Sequence, residues 1–309
     1  MAAHRASLLY RLGLAVAALG MLATGAVLVD VLRAVNVQAT HAEHLRVLGQ
    51  SLTAPAVNVA AAVMLPFAAV GVVALVLGLR AGLAAVLAQR RFLRGLVVAG
   101  PLPQHPDVVV VRDPGLQAFC AGHLRPRVFV STATVHALGT AELDAVLAHE
   151  AHHRLRRDPL RIAAARALCE ALFFLPALRR LTERYCDLAE LSADEAALER
   201  TGGDPGPLAS AMLRFGGAGA GDPAIVGIAP ERVDHLLGAT PEWRLPSVLL
   251  VCATASIATI ALLAWQLGRS ALITTSLNAP LLSSQPCVVV LAGVPLLLVV
   301  AAFWLTRRG

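Results

Sequence analysis

The sequence predicts a mainly α membrane protein, with four transmembrane helices and an α+β domain inserted between the second and the third. Three observations predict it. The 309 residues are 57% hydrophobic with a mean hydropathy of +0.68, above the roughly 45–50% apolar content of an ordinary soluble domain. The excess lies in four stretches without a charged residue, Leu12–Val29, Val47–Leu79, Leu245–Gly268 and Ser270–Thr306, each long enough for a spanning helix of about 17–25 residues. Between the second and third stretches the character changes, because Arg80–Arg244 holds 18 of the 20 acidic residues.

Taken in order, the first span falls at about residues 8–32. Arg5, Arg11 and the small residues Ala23–Ala26 also suit a signal peptide, but the uncharged core exceeds the 7–15 residues usual for one, which favours an uncleaved anchor. Pro55 marks the entry to a second span at about 56–79, with Pro66 as a kink. A third span is expected at about 245–267. The last stretch is too long for one helix, and the turn residues of Asn278–Pro286 start its span near 287, ending near 305. The domains are therefore an N-terminal membrane hairpin (1–79), a middle domain (80–244) and a C-terminal membrane hairpin (245–309).

All 26 basic residues are Arg. They gather at Arg5, Arg11, Arg80, Arg90, Arg91, Arg94, Arg307 and Arg308, whereas the opposite connections carry only Arg33, Arg46 and Arg269. Positive charge stays inside, so the expectation is a multi-pass protein of the cell membrane, in contact with the lipid bilayer, with both termini and the middle domain cytoplasmic. That domain has 19 Arg against 18 acidic residues, which argues against direct nucleic-acid binding. Five scattered cysteines suggest neither a disulfide framework nor a cysteine metal site, and read as buried or lipid-facing thiols.

Within the middle domain, Arg80–Gly100 extends the second helix until Gly100-Pro-Leu-Pro103 breaks it. Val108–Val111 reads as a buried strand, and Phe119–Gly122 with Arg127–Val130 as an antiparallel pair beside the next helix. An edge strand there can take up an extended peptide, or the pair is a plain structural hairpin. The next helix begins at Thr140 as N-cap and contains His149-Glu150-Ala-His-His153, an H-E-x-x-H pattern. Two His four residues apart share a helix face and can hold one Zn²⁺, and the Glu between them can serve as general base toward a zinc-activated water.

After a solvated helix end at Arg154–Asp158, Pro159 starts an amphipathic helix and a further helix runs over about 177–200. On the latter Glu190 and Asp194 share a face, and Ala189, Ala193, Ala196 and Ala197 allow close approach. The acidic residues there also suit a plain charged helix face. The need of His149 and His153 for a partner favours Glu190 as third metal ligand, with Asp194 orienting a ligand imidazole. Thr201–Gly221 is Gly- and Pro-rich, a loop with a helical piece near 207–215 that can cover the cleft, and a short helix is expected over 230–237.

The stretches Leu147–His153, Arg157–Leu160, Phe173–Pro176 and Glu190–Asp194 together resemble the BlaR/MecR antirepressor peptidase family of membrane-embedded gluzincins. Gln117–Gly122, Phe129–Thr132 and Pro230-Glu-Arg232 are similar to the related HtpX and CAAX-prenyl-protease-type peptidases. The resemblance implies a zincin-type metallopeptidase domain, a zinc ion on His149, His153 and Glu190, Glu150 as the catalytic base, and Asp194 behind the ligands. It also implies a polypeptide substrate, and on the BlaR/MecR side a cytoplasmic transcription repressor cleaved in signal transduction. Two alternatives stand beside that: an HtpX-like protease of membrane protein quality control, and a non-catalytic scaffold with a vestigial metal site. The HtpX-type pattern has a His six residues before the position of Arg232, and Val226 stands there instead. No penicillin-binding domain follows the last span, so β-lactam sensing is not expected.

Overall fold

The computed structural model describes residues 2–36, 42–47, 50–55, 59–218, 230–236, 238–239, 247–274 and 277–278. The span expected at 287–305 and Val226 lie outside the described residues. In chain order the elements are α1 (Ala2–Ala34), β1 (Val35–Asn36), β2 (Ala42–Val47), β3 (Gln50–Pro55), α2 (Val59–Gly95), β4 (Val98–Leu102), β5 (His105–Val111), β6 (Ala118–Ala121), β7 (Arg127–Ser131), α3 (Thr132–Ala137), α4 (Thr140–Arg156), α5 (Asp158–Ala171), α6 (Pro176–Arg200), α7 (Gly206–Ala218), α8 (Pro230–Leu236), α9 (Ser247–Thr274) and β8 (Leu277–Asn278).

Two compact units divide the chain. One comprises Met1–Ala15, Gly78–Glu170 and Phe174–Leu249, and the other Val16–Leu77, Ala171–Phe173 and Leu250–Gly309. The first thus adds the opening turns of α1 to the middle domain.

Among the described residues, two helical stretches are long and apolar enough to cross a membrane, Ala2–Val29 and Ala68–Gly95, while the apolar stretch Leu250–Thr259 in α9 is shorter. The apolar side chains of those two stretches mostly face outward, Leu19, Leu22, Leu75 and Leu79 among them. The core helix of a soluble domain would bury that surface, so the two helices suggest association with a membrane. Pro66 is accommodated inside α2.

In the first unit a four-stranded sheet has the order β4-β5-β7-β6. β5 pairs in parallel with β7, and β6 pairs antiparallel with β7 at the edge, Phe119 opposite Phe129. The antiparallel pair read from the sequence is therefore present. The helical extension expected to Gly100 ends at Gly95, because Val98–Leu102 is drawn into the sheet against β5. Gly122 makes the β6–β7 turn at φ +113°, and a Cβ there would sit 2.5 Å from the Arg125 carbonyl oxygen, so only glycine fits.

One face of the sheet, Leu102, Val108, Val128 and Val130, packs on Leu147 of α4. The other, Val111, Ala121 and Phe129, meets Leu93 near the end of α2 and Leu96 just after it. α4 is thus clamped between the sheet and α6, where Ala189, Ala193 and Ala197 are buried. The N-cap of α4 is Gly139 and not Thr140, whose place is inside the helix. Glu142 accepts a hydrogen bond from the Gly139 amide at 2.8 Å, and also from Ser210. The helical piece expected as a cover is the 13-residue α7, and it packs Leu208 and Ala211 against Ala145 and Val146 of α4.

Candidate metal centre

The stretch read as H-E-x-x-H lies in the last two turns of α4, where helical spacing brings His149 and His153 to one face. Both rings are buried, at 8% exposure each. Their Nε2 atoms are 3.2 Å apart. From α6, Glu190 places Oε2 3.5 Å from His149 Nε2 and Oε1 3.5 Å from His153 Nε2. Ligand atoms around a tetrahedral ion with arms of 2.0–2.1 Å lie about 3.3 Å from one another, so these spacings suit one ion.

The far side of each ring faces a carboxylate. His149 Nδ1 lies 2.9 Å from Asp194 Oδ1, and His153 Nδ1 lies 2.9 Å from Asp158 Oδ2. A proton held at each Nδ1 leaves both Nε2 lone pairs aimed at the same place as the Glu190 oxygens. Lone pairs so gathered can be satisfied by a proton between the two rings or by a cation held among the three side chains. Four carboxylates, Glu150, Asp158, Glu190 and Asp194, converge here, with Arg232 in contact with two of them and the charge of Arg156 acting on Asp158.

The protonation states report the same demand. Burial disfavours the charged form of His149, yet its contacts with Asp194 and Glu190 prevail and raise its pKa to about 9. Burial would likewise raise Glu190, but the bond to His149 and the charges of His149, His153 and Arg232 hold it at about 2. A group of two imidazoles and a carboxylate that stabilises positive charge at their meeting point can hold a metal ion.

Glu150 lies beside the three and accepts a hydrogen bond from the Cys120 amide of β6. Burial pushes its carboxyl above the usual carboxylate range, with the charges of His149 and His153 pulling the other way. A carboxyl shifted toward neutrality can take up a proton and return it. It opens on a groove of about 490 Å³, walled by Phe119, Cys120 and His123 on the sheet side and by Ala81, Ala85, Ile162 and Ala163 on the helix side. The Cys120 thiol is pushed up to about 12 by burial and by the neighbouring charges of Glu150 and Asp158, so it stays protonated and is no nucleophile.

Residues 88–193 match the family model of peptidase family M48. The M48 match supports a metallopeptidase, and it covers β4 through most of α6, including His149, Glu150, His153 and Glu190. It stops one residue short of Asp194 and does not reach Arg232. No curated protein and no solved structure matches the chain.

The structure also brings in residues that sequence reasoning left aside. Asp158, read as part of a solvated helix end, is 1% exposed and faces His153. It gets there because α4 ends with Arg157 in the left-handed region (φ 55°), turning the chain so that α5 starts at Asp158 and brings its carboxylate back to the ring. Tyr185 donates its hydroxyl to Asp158 Oδ1 at 2.7 Å. A lone tyrosine in the apolar stripe Leu178, Leu181, Tyr185, Leu188 was the available signal, since a buried phenol needs a partner. Arg232 of α8 donates from Nε and Nη2 to the two oxygens of Asp194, at 2.8 and 2.6 Å, and its Nη1 lies 3.3 Å from Glu190 Oε2.

Proposed function

We propose that this chain is an integral-membrane zinc metalloendopeptidase that hydrolyses peptide bonds at the cytoplasmic face, with His149, His153 and Glu190 as the metal ligands. The observation that carries the reading is the pair of Nε2 atoms 3.2 Å apart, each 3.5 Å from an oxygen of Glu190, with Glu150 opening on the adjoining groove. When bound, a zinc ion polarises the scissile carbonyl and lowers the pKa of water toward 7. Glu150 takes the proton from the attacking water and delivers it to the leaving amine. Asp194 and Asp158 keep the protons of His149 and His153 at Nδ1. Among the described residues β6 is the edge strand of its sheet and borders the groove through Phe119 and Cys120, which suits an extended polypeptide laid alongside.

The clustering of Arg at one set of helix ends supports the cytoplasmic placement. Within the enzyme reading, the substrate is a cytoplasmic repressor if the chain works as the BlaR/MecR peptidases it resembles. A Glu150→Gln variant should retain zinc and lose cleavage, whereas cleavage at the wild-type rate removes Glu150 from the mechanism. Comparing protein fragments in cells carrying wild type and Glu150→Gln separates the roles. One degraded soluble repressor supports signalling, many membrane proteins support quality control, and no difference with zinc absent from the purified protein supports a vestigial scaffold.

A further inference from the structure

The two ring-facing carboxylates are themselves held differently. Asp194 is gripped by the charged fork of Arg232, whereas Asp158 accepts from a neutral donor, the Tyr185 hydroxyl at 2.7 Å on Oδ1, and feels the charge of Arg156 without such a fork. Its other oxygen, Oδ2, faces His153 Nδ1 at 2.9 Å. With one oxygen engaged on each side, the carboxylate plane of Asp158 has no freedom to turn, and the ring of His153 is fixed by it. Tyr185 is 1% exposed, and its ring lies 5.2 Å from that of Tyr10 on α1. Tyr10 in turn has the Arg161 guanidinium 5.3 Å from its ring centre. The opening turns of α1 are anchored by burial of Ala2, Ala6 and Leu9. A continuous line of contacts therefore runs from α1 through Tyr10, Tyr185 and Asp158 to His153.

We propose that Tyr185 is a positioning residue for His153, acting through Asp158, and that Tyr10 sets the Tyr185 ring, so that the first helix is linked to the geometry of the metal site. The inference rests on reading His149, His153 and Glu190 as metal ligands. Partners of this outer kind are worth about 10–100-fold in metal affinity. Tyr185→Phe keeps the ring and its packing on Tyr10 while removing only the hydroxyl.

The test uses the full chain in detergent micelles, with zinc affinity measured by competition with a chromophoric chelator. Tyr185→Phe is expected to bind zinc about 10–100-fold more weakly at unchanged helix content, and Tyr10→Ala to show a smaller loss in the same direction. In an Asp158→Ala background, Tyr185→Phe should lose most of its effect, because the hydroxyl reaches the His153 ring through that carboxylate. An unchanged zinc affinity in Tyr185→Phe, or a full additional loss in the Asp158→Ala background, overturns the proposal. If the wild-type chain binds no zinc, the metal reading fails by itself and the imidazole ¹⁵N spectrum of His153 decides. A shift from the Nδ1–H toward the Nε2–H tautomer in Tyr185→Phe upholds the positioning role, and an unaltered tautomer overturns it.

Discussion

His149 and His153 sit one turn apart on the same helix and face the same point, yet the supports behind them are built on different physics. Behind His149 stands Asp194, fully buried and bound by two charge-assisted hydrogen bonds from Arg232, which also reaches Glu190. Behind His153 stands Asp158, equally buried but completed by a neutral phenol. The first arrangement collects charge. The second arranges an orientation through packing, and its outermost member belongs to the opening turns of α1.

The largest expected effect concerns the charge-rich half. In the metal-free protein the His149 pKa is raised from 6.5 to about 9, burial being outweighed by Asp194 and Glu190. The protonated ring therefore stabilises the fold fully below pH 6.5, and that contribution is lost as pH rises through about 9. The same proton has to leave before Nε2 can bind a metal, so zinc affinity should climb with pH by up to about tenfold per unit, levelling near pH 9. Asp194→Asn should move the plateau to lower pH. Zinc titrations at a series of pH values check this, and a flat profile from pH 6.5 to 9 would place the proton elsewhere than on His149.

The next effect compares the two carboxylates directly in metal-free protein. Asp194→Ala leaves Arg232 mostly buried without its main partner and should cost about 3 kcal/mol, the low end for breaking a buried pair. Asp158→Ala leaves the Tyr185 hydroxyl and His153 Nδ1 unsatisfied without breaking a charge-assisted fork like that of Arg232, and should cost about 2 kcal/mol. Denaturant unfolding in detergent measures both. Equal losses would show that Arg232 relaxes into solvent and that the contrast between ionic and neutral support is smaller than the distances indicate.

What the sequence made legible follows the range of each interaction. The placement of His149, Glu150 and His153 on a helix, and of Glu190 and Asp194 on another, depends on a period of 3.6 residues, which a sequence displays directly. The antiparallel pair at Phe119 and Phe129 was marked by its flanking Gly122 and Pro126. Asp158 was not legible because its position depends on a left-handed residue that is an arginine, a type that gives no warning of that conformation. The end of α2 at Gly95 was missed for a different reason, since pairing of β4 with β5 overrides a locally helical composition. Likewise α7 reads as a loose cover in isolation, and only the apolar contacts of Leu208 and Ala211 with α4 fix it elsewhere.

The smallest expected effect tests how the His153 half is assembled. Arg157 adopts φ 55°, ψ 40°, and its amide donates back to the carbonyls of Arg154 and His153, closing α4 one residue before Asp158. A non-glycine residue in that region pays about 1 kcal/mol, which glycine avoids, although glycine also gains freedom in the unfolded chain. Arg157→Gly should therefore change stability by less than about 1 kcal/mol and leave zinc affinity within about twofold, because the turn that delivers Asp158 is kept. Arg157→Val should lower both, since a β-branched side chain resists the left-handed conformation. If Val is tolerated as well as Gly, the chain reaches Asp158 by another route. The carboxylate would then owe its place to Tyr185 alone, and the His153 support would be more dependent on α6 and α1 than on the turn.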